Sequence, residues 1–249
     1  MHSYGKYLYQ KSITGTIRIP DYFESNELAY YSAHCKNEQQ IRDKIAWKLH
    51  LTITQDKKYG DKFVVRREWA PEEHRECRVD LAILEMDDNR EKVKKVIALI
   101  EFKAHSIARP EPSFYCSEFK RDVEKMLKLK DTVDICRSAE LYFVFLETGQ
   151  DRKADKYQSV LGFSQYQTSK CVYCKRARDK KYLDAIKLHW KAFNEGNYRV
   201  DYEEKCLQPI SIPEPEVIKI GEAFGYTQYV SPFLIGPLDT VSKSASEVR

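Results

Sequence analysis

Asp80, Glu101 and Lys103 are the residues of this sequence whose types and spacing are best suited to chemistry: two carboxylates and an ammonium carried by two apolar runs. Glu101-Phe102-Lys103 closes the run Val96-Ile97-Ala98-Leu99-Ile100, and Asp80 lies within Arg78-Val79-Asp80-Leu81-Ala82-Ile83-Leu84. Side chains alternate across a strand, so Glu101 and Lys103 share one face while Phe102 takes the other. Ionised groups among apolar neighbours are costly unless they pair or bind a metal. A charged trio delivered by two hydrophobic strands therefore asks for a ligand.

Spacing alone does not select this trio, because an acid followed two positions later by lysine occurs six times. Context separates them. Asp56, Asp151 and Asp179 stand in charged, loop-like or helix-like stretches, and Glu118 opens a helical pattern. Glu203 competes, since Tyr198 to Lys205 alternates as a half-exposed strand does, but no second apolar strand upstream supplies it with an acid. The plainer alternative at Glu101 is an ion pair with Lys103 at a strand end, contributing ~0–1 kcal/mol if exposed.

The elements that must position the trio are readable in outline. Ile41, Ile45 and Leu49 recur at helical spacing and predict a helix from Asn37 to His50, with Asn37 as its cap. Phe63 to Trp69 reads as a strand ended by Pro71, and Asp87-Asp88-Asn89-Arg90 separates the Asp80 and Glu101 strands as a hairpin loop would. Ser117 to Lys130 reads as a helix capped by Ser117, with Phe119, Val123, Met126 and Leu127 on one side and Lys120, Arg121 and Lys125 elsewhere. Leu141 to Leu146 is a buried strand stopped by Thr148-Gly149. The predicted order is helix, three strands, helix, strand.

Beyond Gln150 the expectation is a C-terminal α+β elaboration over residues 151–239, following an N-terminal segment and core over 1–150. It contains an amphipathic helix from Lys181 to Phe193 and strands at Tyr198–Tyr202 and Val217–Ile220. The polar stretch 240–249 is expected to be a mobile tail.

At 249 residues the chain can bury a full core, and 32% charged with 42% hydrophobic residues is a globular composition. The net charge of +4 is too small to name a partner without local clustering. No apolar stretch approaches the ~20 residues that cross a bilayer, and Met1 to Lys6 lacks the apolar core of a signal peptide. Seven scattered cysteines fit a reducing cytoplasm better than a disulfide framework. Cys171-Val172-Tyr173-Cys174 is half a structural zinc site; its completion needs two more ligands, such as Cys206 or His189, and free thiols are the expectation. Lys170 to Lys181, including Lys175, Arg176 and Arg178, is basic enough to track a nucleic-acid backbone or simply to be a solvated helix start.

The element order, with an acid in the second strand and Glu-x-Lys in the third, resembles the restriction-endonuclease-like core of PD-(D/E)xK nucleases over roughly Asn37 to Leu146. Val79 stands where the family name has proline. The resemblance implies an α/β fold with a mixed central sheet flanked by helices and hydrolysis of phosphodiesters with Mg²⁺, which Mn²⁺ can replace. It assigns the metal to Asp80, Glu101 and the Phe102 carbonyl, and the attacking water and phosphorane charge to Lys103. Glu38 is a further catalytic candidate, for a second metal or a water, or else an ordinary acid at a helix start. Lys120, Asp122 and Lys125 follow the motif on a helix, where they face the site or phosphates or are solvated. The implied substrate is DNA, with RNA left open, and the implied enzyme is a cytoplasmic restriction or phage-defence endonuclease acting as a homodimer, since two sites cut two strands. The alternative is a nucleic-acid-binding or protein-interaction module that keeps the fold without cleavage.

Overall fold

Alternation of buried side chains along the central strands decides the architecture. In the computed structural model, the described residues are 23–33, 38–55, 60–106, 112–150, 201–202, 205–207, 217–223, 226–238 and 240–242. In chain order they form α1 (Glu27–Ala33), α2 (Glu38–Thr54), β1 (Phe63–Trp69), a 3₁₀ segment (Glu72–Cys77), β2 (Val79–Met86), β3 (Val93–Ser106), α3 (Pro112–Thr132), a 3₁₀ turn (Asp134–Cys136), β4 (Glu140–Gln150), β5 (Asp201–Tyr202), β6 (Lys205–Leu207), β7 (Ile218–Ala223), β8 (Tyr226–Ile235) and β9 (Thr240–Ser242). The result is an α/β fold with a mixed six-stranded sheet in the order β1-β2-β3-β4-β8-β7 and a separate three-stranded sheet, β5-β6-β9.

β2, β3 and β4 are apolar on both faces because both faces are covered. Leu81, Ile83, Ala98, Ile100, Phe102, Tyr142, Val144 and Leu146 pack with Leu28 of α1 and with Ile41, Ile45 and Leu49 of α2. Ala82, Leu84, Leu99, Leu141, Phe143 and Phe145 pack with Phe119, Val123, Met126 and Leu127 of α3. Phe119 meets Phe143 edge to face at 4.9 Å, an arrangement the aromatic quadrupole favours. Phe143→Ala would cost about 3–5 kcal/mol on this account.

β1, β2 and β3 are antiparallel neighbours, whereas β3 and β4 run parallel. A parallel pair requires a crossover, and α3 provides it. The β2–β3 hairpin forms as expected. Asp87 Oδ1 accepts from the Glu91 and Lys92 amides at 2.8 and 3.2 Å, and Arg90 takes a positive φ of 60°.

Pairing lengthens what local pattern predicts. β3 continues past Glu101 to Ser106 because each residue from Ala98 to Ser106 has a partner on β4. Glu101 and Lys103 thus lie inside a strand. β4 runs through Thr148 and Gly149, which pair with Val230 and Tyr229 of β8. α3 starts at Pro112, five residues before Ser117; proline suits a first helical turn, where its missing N–H has no intrahelical partner.

The C-terminal residues are joined to the core through its sheet. β8 and β7 join the same sheet as the core, β8 pairing with β4 from Phe143↔Ile235 to Gln150↔Gln228. Thr240–Ser242, expected within a mobile tail, pairs with Lys205–Leu207 as β9. Asn26 starts α1, and its Oδ1 accepts from the Glu222 amide at 2.8 Å. A Cβ at Gly221, where φ is +121°, would overlap that oxygen. The predicted Lys181–Phe193 helix, Cys171, Cys174, Lys175, Arg176, Arg178, Glu203 and the Asn37 cap lie outside the described residues.

Candidate active site

The site forms where β2 stops and β3 goes on. Leu81 with Ile100 is the last pair of the ladder at this end, and beyond it the Asp80 carboxylate reaches the β3 backbone and acts electrostatically on Glu101. Beyond this point β3 amides at alternate positions turn toward an edge without a strand, and a buried N–H needs an acceptor. Asp80 Oδ2 accepts from the Phe102 amide at 2.8 Å, and Glu38 Oε2 from the Ala104 amide at 2.7 Å. Two acids distant in sequence thus complete the ladder that β2 leaves unfinished. In a strand the N–H and C=O of one residue leave by the same edge, so the Phe102 carbonyl opens on the Asp80 side.

Each carboxylate is held by a cation. Arg42 of α2 donates to Asp80 Oδ1 at 3.0 Å and also pairs with Glu68 and Asp43. Glu68 has a φ of 50°, unusual for a non-glycine residue, and its other oxygen accepts from Arg78 at 2.8 Å. On the other side, Lys125 of α3 lies 2.6 Å from Glu101 Oε1 and 3.7 Å from Asp122 Oδ1. Lys103 lies 3.0 Å from Asp122 Oδ2. The arrangement alternates in sign from Glu68 through Arg42 to Asp80, and from Glu101 through Lys125 and Asp122 to Lys103.

Burial sets the protonation behaviour. Glu101 is 2% exposed, and its carboxyl is pushed up to about 8, first by burial and then by Asp80, against the pull of Lys125. Glu101 Oε1 and Asp122 Oδ2 are buried without a well-directed hydrogen bond despite their ammonium neighbours. Glu38 is also raised, chiefly by burial, with the Ala104 amide and Lys103 opposing. For Lys103 burial favours loss of the proton, but Asp122, Glu101 and Glu38 together outweigh it and raise the ammonium above its ordinary value. Lys103 therefore stays charged at neutral pH.

No protein-family model, curated protein or solved structure matches this chain significantly.

The sequence-predicted residues fall into three groups. Asp80, Glu101, Lys103 and Glu38 converge on the β3 edge, with electrostatic coupling running from Asp80 to Glu101 and from Lys103 to Glu38. Lys125, read as facing the site or phosphates or as a solvated charge, faces the site, where Glu101 and Asp122 are its partners. Lys120 is 52% exposed and pairs weakly with Glu124 at 3.9 Å, so it remains available to a phosphate. Arg42 is the functional neighbour that sequence reading misses. It stands four residues after Glu38, one helical turn along the same face, a spacing that does not by itself say that the guanidinium is enclosed. Its burial at 7% exposure follows from tertiary contacts with Glu68 and Asp80.

The donor set fits a hard divalent cation. Asp80 and Glu101 offer carboxylate oxygens from adjacent strands, Phe102 offers a carbonyl at the same edge, and oxygen ligands of this kind suit Mg²⁺. Two neighbouring carboxylates that raise one another's proton affinity gain most from such a charge. A cation held here would require Arg42 and Lys125 to loosen from these carboxylates, and Glu68, Asp43 and Asp122 already hold them as second partners. Among the described helices none is long and apolar enough to cross a membrane.

Proposed function

We propose that this protein is a Mg²⁺-dependent nuclease of the PD-(D/E)xK type that hydrolyses DNA phosphodiesters, working in the cytoplasm as a homodimer in restriction or phage defence. The observation that carries the reading is the meeting of Asp80 and Glu101 where the β2–β3 ladder ends, Asp80 accepting from the Phe102 amide and acting on the Glu101 carboxyl, with Lys103 two residues further along β3. The element order α2-β1-β2-β3-α3-β4 supports it.

Asp80, Glu101 and the Phe102 carbonyl would hold the cation. When bound, such an ion supplies positive charge to the scissile phosphate and acidity to the attacking water. Lys103, kept protonated by Asp122, donates to the developing oxyanion and orients the water; in this state it has no lone pair with which to act as base. Glu38, raised by burial and held in place by the Ala104 amide, is the group suited to take the water's proton. Burial of Glu101 among apolar side chains strengthens every charge interaction made there.

Supercoiled plasmid, linear duplex, single-stranded DNA and RNA, each incubated with Mg²⁺, Mn²⁺ or chelator, test the proposal. Metal-dependent cleavage of DNA is expected, with Mn²⁺ able to substitute. No cleavage of any substrate by folded protein would overturn it. In the same assay, neutralising Lys175, Arg176 and Arg178 together is expected to weaken duplex binding and to lower the salt slope by about 2 to 3, since each lost phosphate contact removes about 0.9.

A second reading is favoured by one observation. Arg42 and Lys125 neutralise Asp80 and Glu101 without any metal, as they would in a binding module that keeps the fold but does not cleave. Its mark is nucleic-acid affinity that survives Glu101→Gln with no metal-dependent turnover in the parent.

A further inference from the structure

The connection from β1 to β2 gathers three metal-ligating side chains of different chemistry from those of the β3 edge. Within the 3₁₀ segment Glu72–Cys77, His74 leaves helical geometry with φ −131° and ψ 49°. The kink lets its ring fold back onto Glu76. His74 Nδ1 lies 3.3 Å from Glu76 Oε1, and Cys77 Sγ lies 3.6 Å from the same oxygen. All three ligand atoms fall within 4.8 Å of one another, and among the described residues this is the group of His, Cys, Asp and Glu that meets that limit.

These spacings can be compared with a coordination polyhedron. Zinc bonds of about 2.0–2.1 Å to nitrogen, 2.0–2.2 Å to oxygen and 2.3 Å to sulfur, at tetrahedral angles, place N and O about 3.3–3.5 Å apart and S and O about 3.5–3.7 Å apart. Both edges measured here lie in those ranges. Contacts within the turn thus set two of the three ligand edges at the separations a tetrahedral ion requires, and the third, between His74 and Cys77, lies within 4.8 Å.

We infer that His74, Glu76 and Cys77 form a three-ligand site for a borderline divalent cation of the zinc class, separate from the carboxylate centre of Asp80 and Glu101. Imidazole and thiolate select Zn²⁺ over Mg²⁺, while an all-oxygen set does the reverse. The fourth position is left to water or an exogenous ligand. Binding removes the proton from the Cys77 thiol, so the site fills more readily as pH rises. The groups facing it are Lys128 of α3, 3.4 Å from Glu76 Oε1, and, at longer range, Lys125, which acts on the Cys77 thiol. Lys128 is 45% exposed, and its ammonium is free to swing into water when the cation arrives.

The test is titration of the full reduced chain carrying Cys171→Ser and Cys174→Ser, which removes the other thiol pair, with Co²⁺ as a spectroscopic stand-in for zinc. One equivalent is expected to give a thiolate-to-cobalt charge-transfer band and strong tetrahedral d–d absorption, both lost on adding Zn²⁺. Cys77→Ser should abolish the charge-transfer band. His74→Ala and Glu76→Gln should each weaken Co²⁺ binding at least tenfold while the far-ultraviolet spectrum is unchanged. Absence of the band, or its persistence in Cys77→Ser, overturns the assignment. Should Cys77→Ser fail to fold, an unchanged cobalt affinity in His74→Ala overturns it instead. Cobalt bound only by Asp80 and Glu101 gives no thiolate band and so cannot be mistaken for this site.

Discussion

The two charged regions flanking α3 are built on opposite plans. At the β3 edge, carboxylates and cations are drawn from α2, β1, β2, β3 and α3, and Asp80, Glu101 and Asp122 each have a cation in contact. At the β1–β2 corner, three ligands come from four consecutive positions; the His74 side chain is 24% and the Glu76 side chain 62% exposed, while Cys77 is buried beneath them. The first is a product of tertiary folding and the second of one local kink. Charges assembled by the fold should therefore be coupled to stability and to one another, whereas charges assembled by a turn should be nearly separable from both. Glu76 fits this contrast: its carboxyl is held down to about 2 by its own backbone amide first and by His74 next.

The largest effect that could break this comparison concerns turnover. Asp80→Asn, Glu101→Gln and Lys103→Ala are each expected to reduce metal-dependent cleavage by about 10²–10⁴-fold, while duplex binding, which rests on dispersed Lys and Arg contacts, largely survives. Lys103→Ala is the most informative of the three because it leaves both metal-binding carboxylates in place. Parent-rate cleavage by that variant, once shown to be folded, would remove Lys103 from the mechanism.

Next in size is a stability effect with a defined pH dependence. Lys125→Met removes the cation nearest Glu101. The loss should be about 1–3 kcal/mol at pH 9, below the 3–5 typical of a broken, fully buried pair because Lys125 retains some exposure. At pH 6 it should shrink, since Glu101, with its carboxyl near 8, is then neutral and needs no counterion. The parent follows the same sign. A carboxyl whose folded value is raised holds its proton better than the unfolded chain does, so its contribution is complete below about 4.5 and is lost as pH rises through about 8. Urea unfolding of parent, Lys125→Met and Glu101→Gln at both pH values measures this. A loss independent of pH would show that Glu101 is ionised throughout.

Divalent affinity at the β3 edge should follow from the same proton. Loading requires ionised Glu101, so Mg²⁺ or Mn²⁺ affinity is expected to rise by up to about tenfold per pH unit below 8 and to level off above it. Calorimetry from pH 6 to 9 reads the slope, and a flat profile would place the cation elsewhere. The smallest expected effect is at the corner. His74→Ala should change metal-free stability by no more than about 0.5 kcal/mol, as a surface substitution outside a packed network does. A larger loss in chelator would mean that the kink is itself part of the folded core.

How far the sequence could be read depends on the range of the forces involved. Apolar runs at Val79–Leu84, Val96–Ile100 and Leu141–Leu146 announce the central strands because burial on two faces demands continuous hydrophobicity. Their true ends depend on partners: β3 reaches Ser106 because β4 lies alongside, and β4 reaches Gln150 because β8 does. Glu101 and Lys103 were readable from strand periodicity, and Glu38 from its place at a helix start. Arg42 was not. Its neighbours Ile41 and Ile45 carry the helical pattern, and nothing local says that a guanidinium between them will be enclosed by Glu68 and Asp80. Lys125 was visible as one of several charges on α3, but only the packing of Val123, Met126 and Leu127 against the sheet decides which of them turns inward.

The order β1-β2-β3-β4-β8-β7 bears on how two copies of this protein can meet. β1 and β7 are its rims. β1 carries exposed Arg66, Arg67 and Glu68 in succession, and β7 carries exposed Lys219 and Glu222 beside a register shift at Gly221 that is pinned by Asn26. Charged and irregular rims resist docking of a foreign strand. A twofold assembly built by continuous hydrogen bonding from one sheet into the next is therefore disfavoured at both rims. Copies that associate without joining these two rims leave each six-stranded sheet, and the charge array at its third strand, structurally independent of the other.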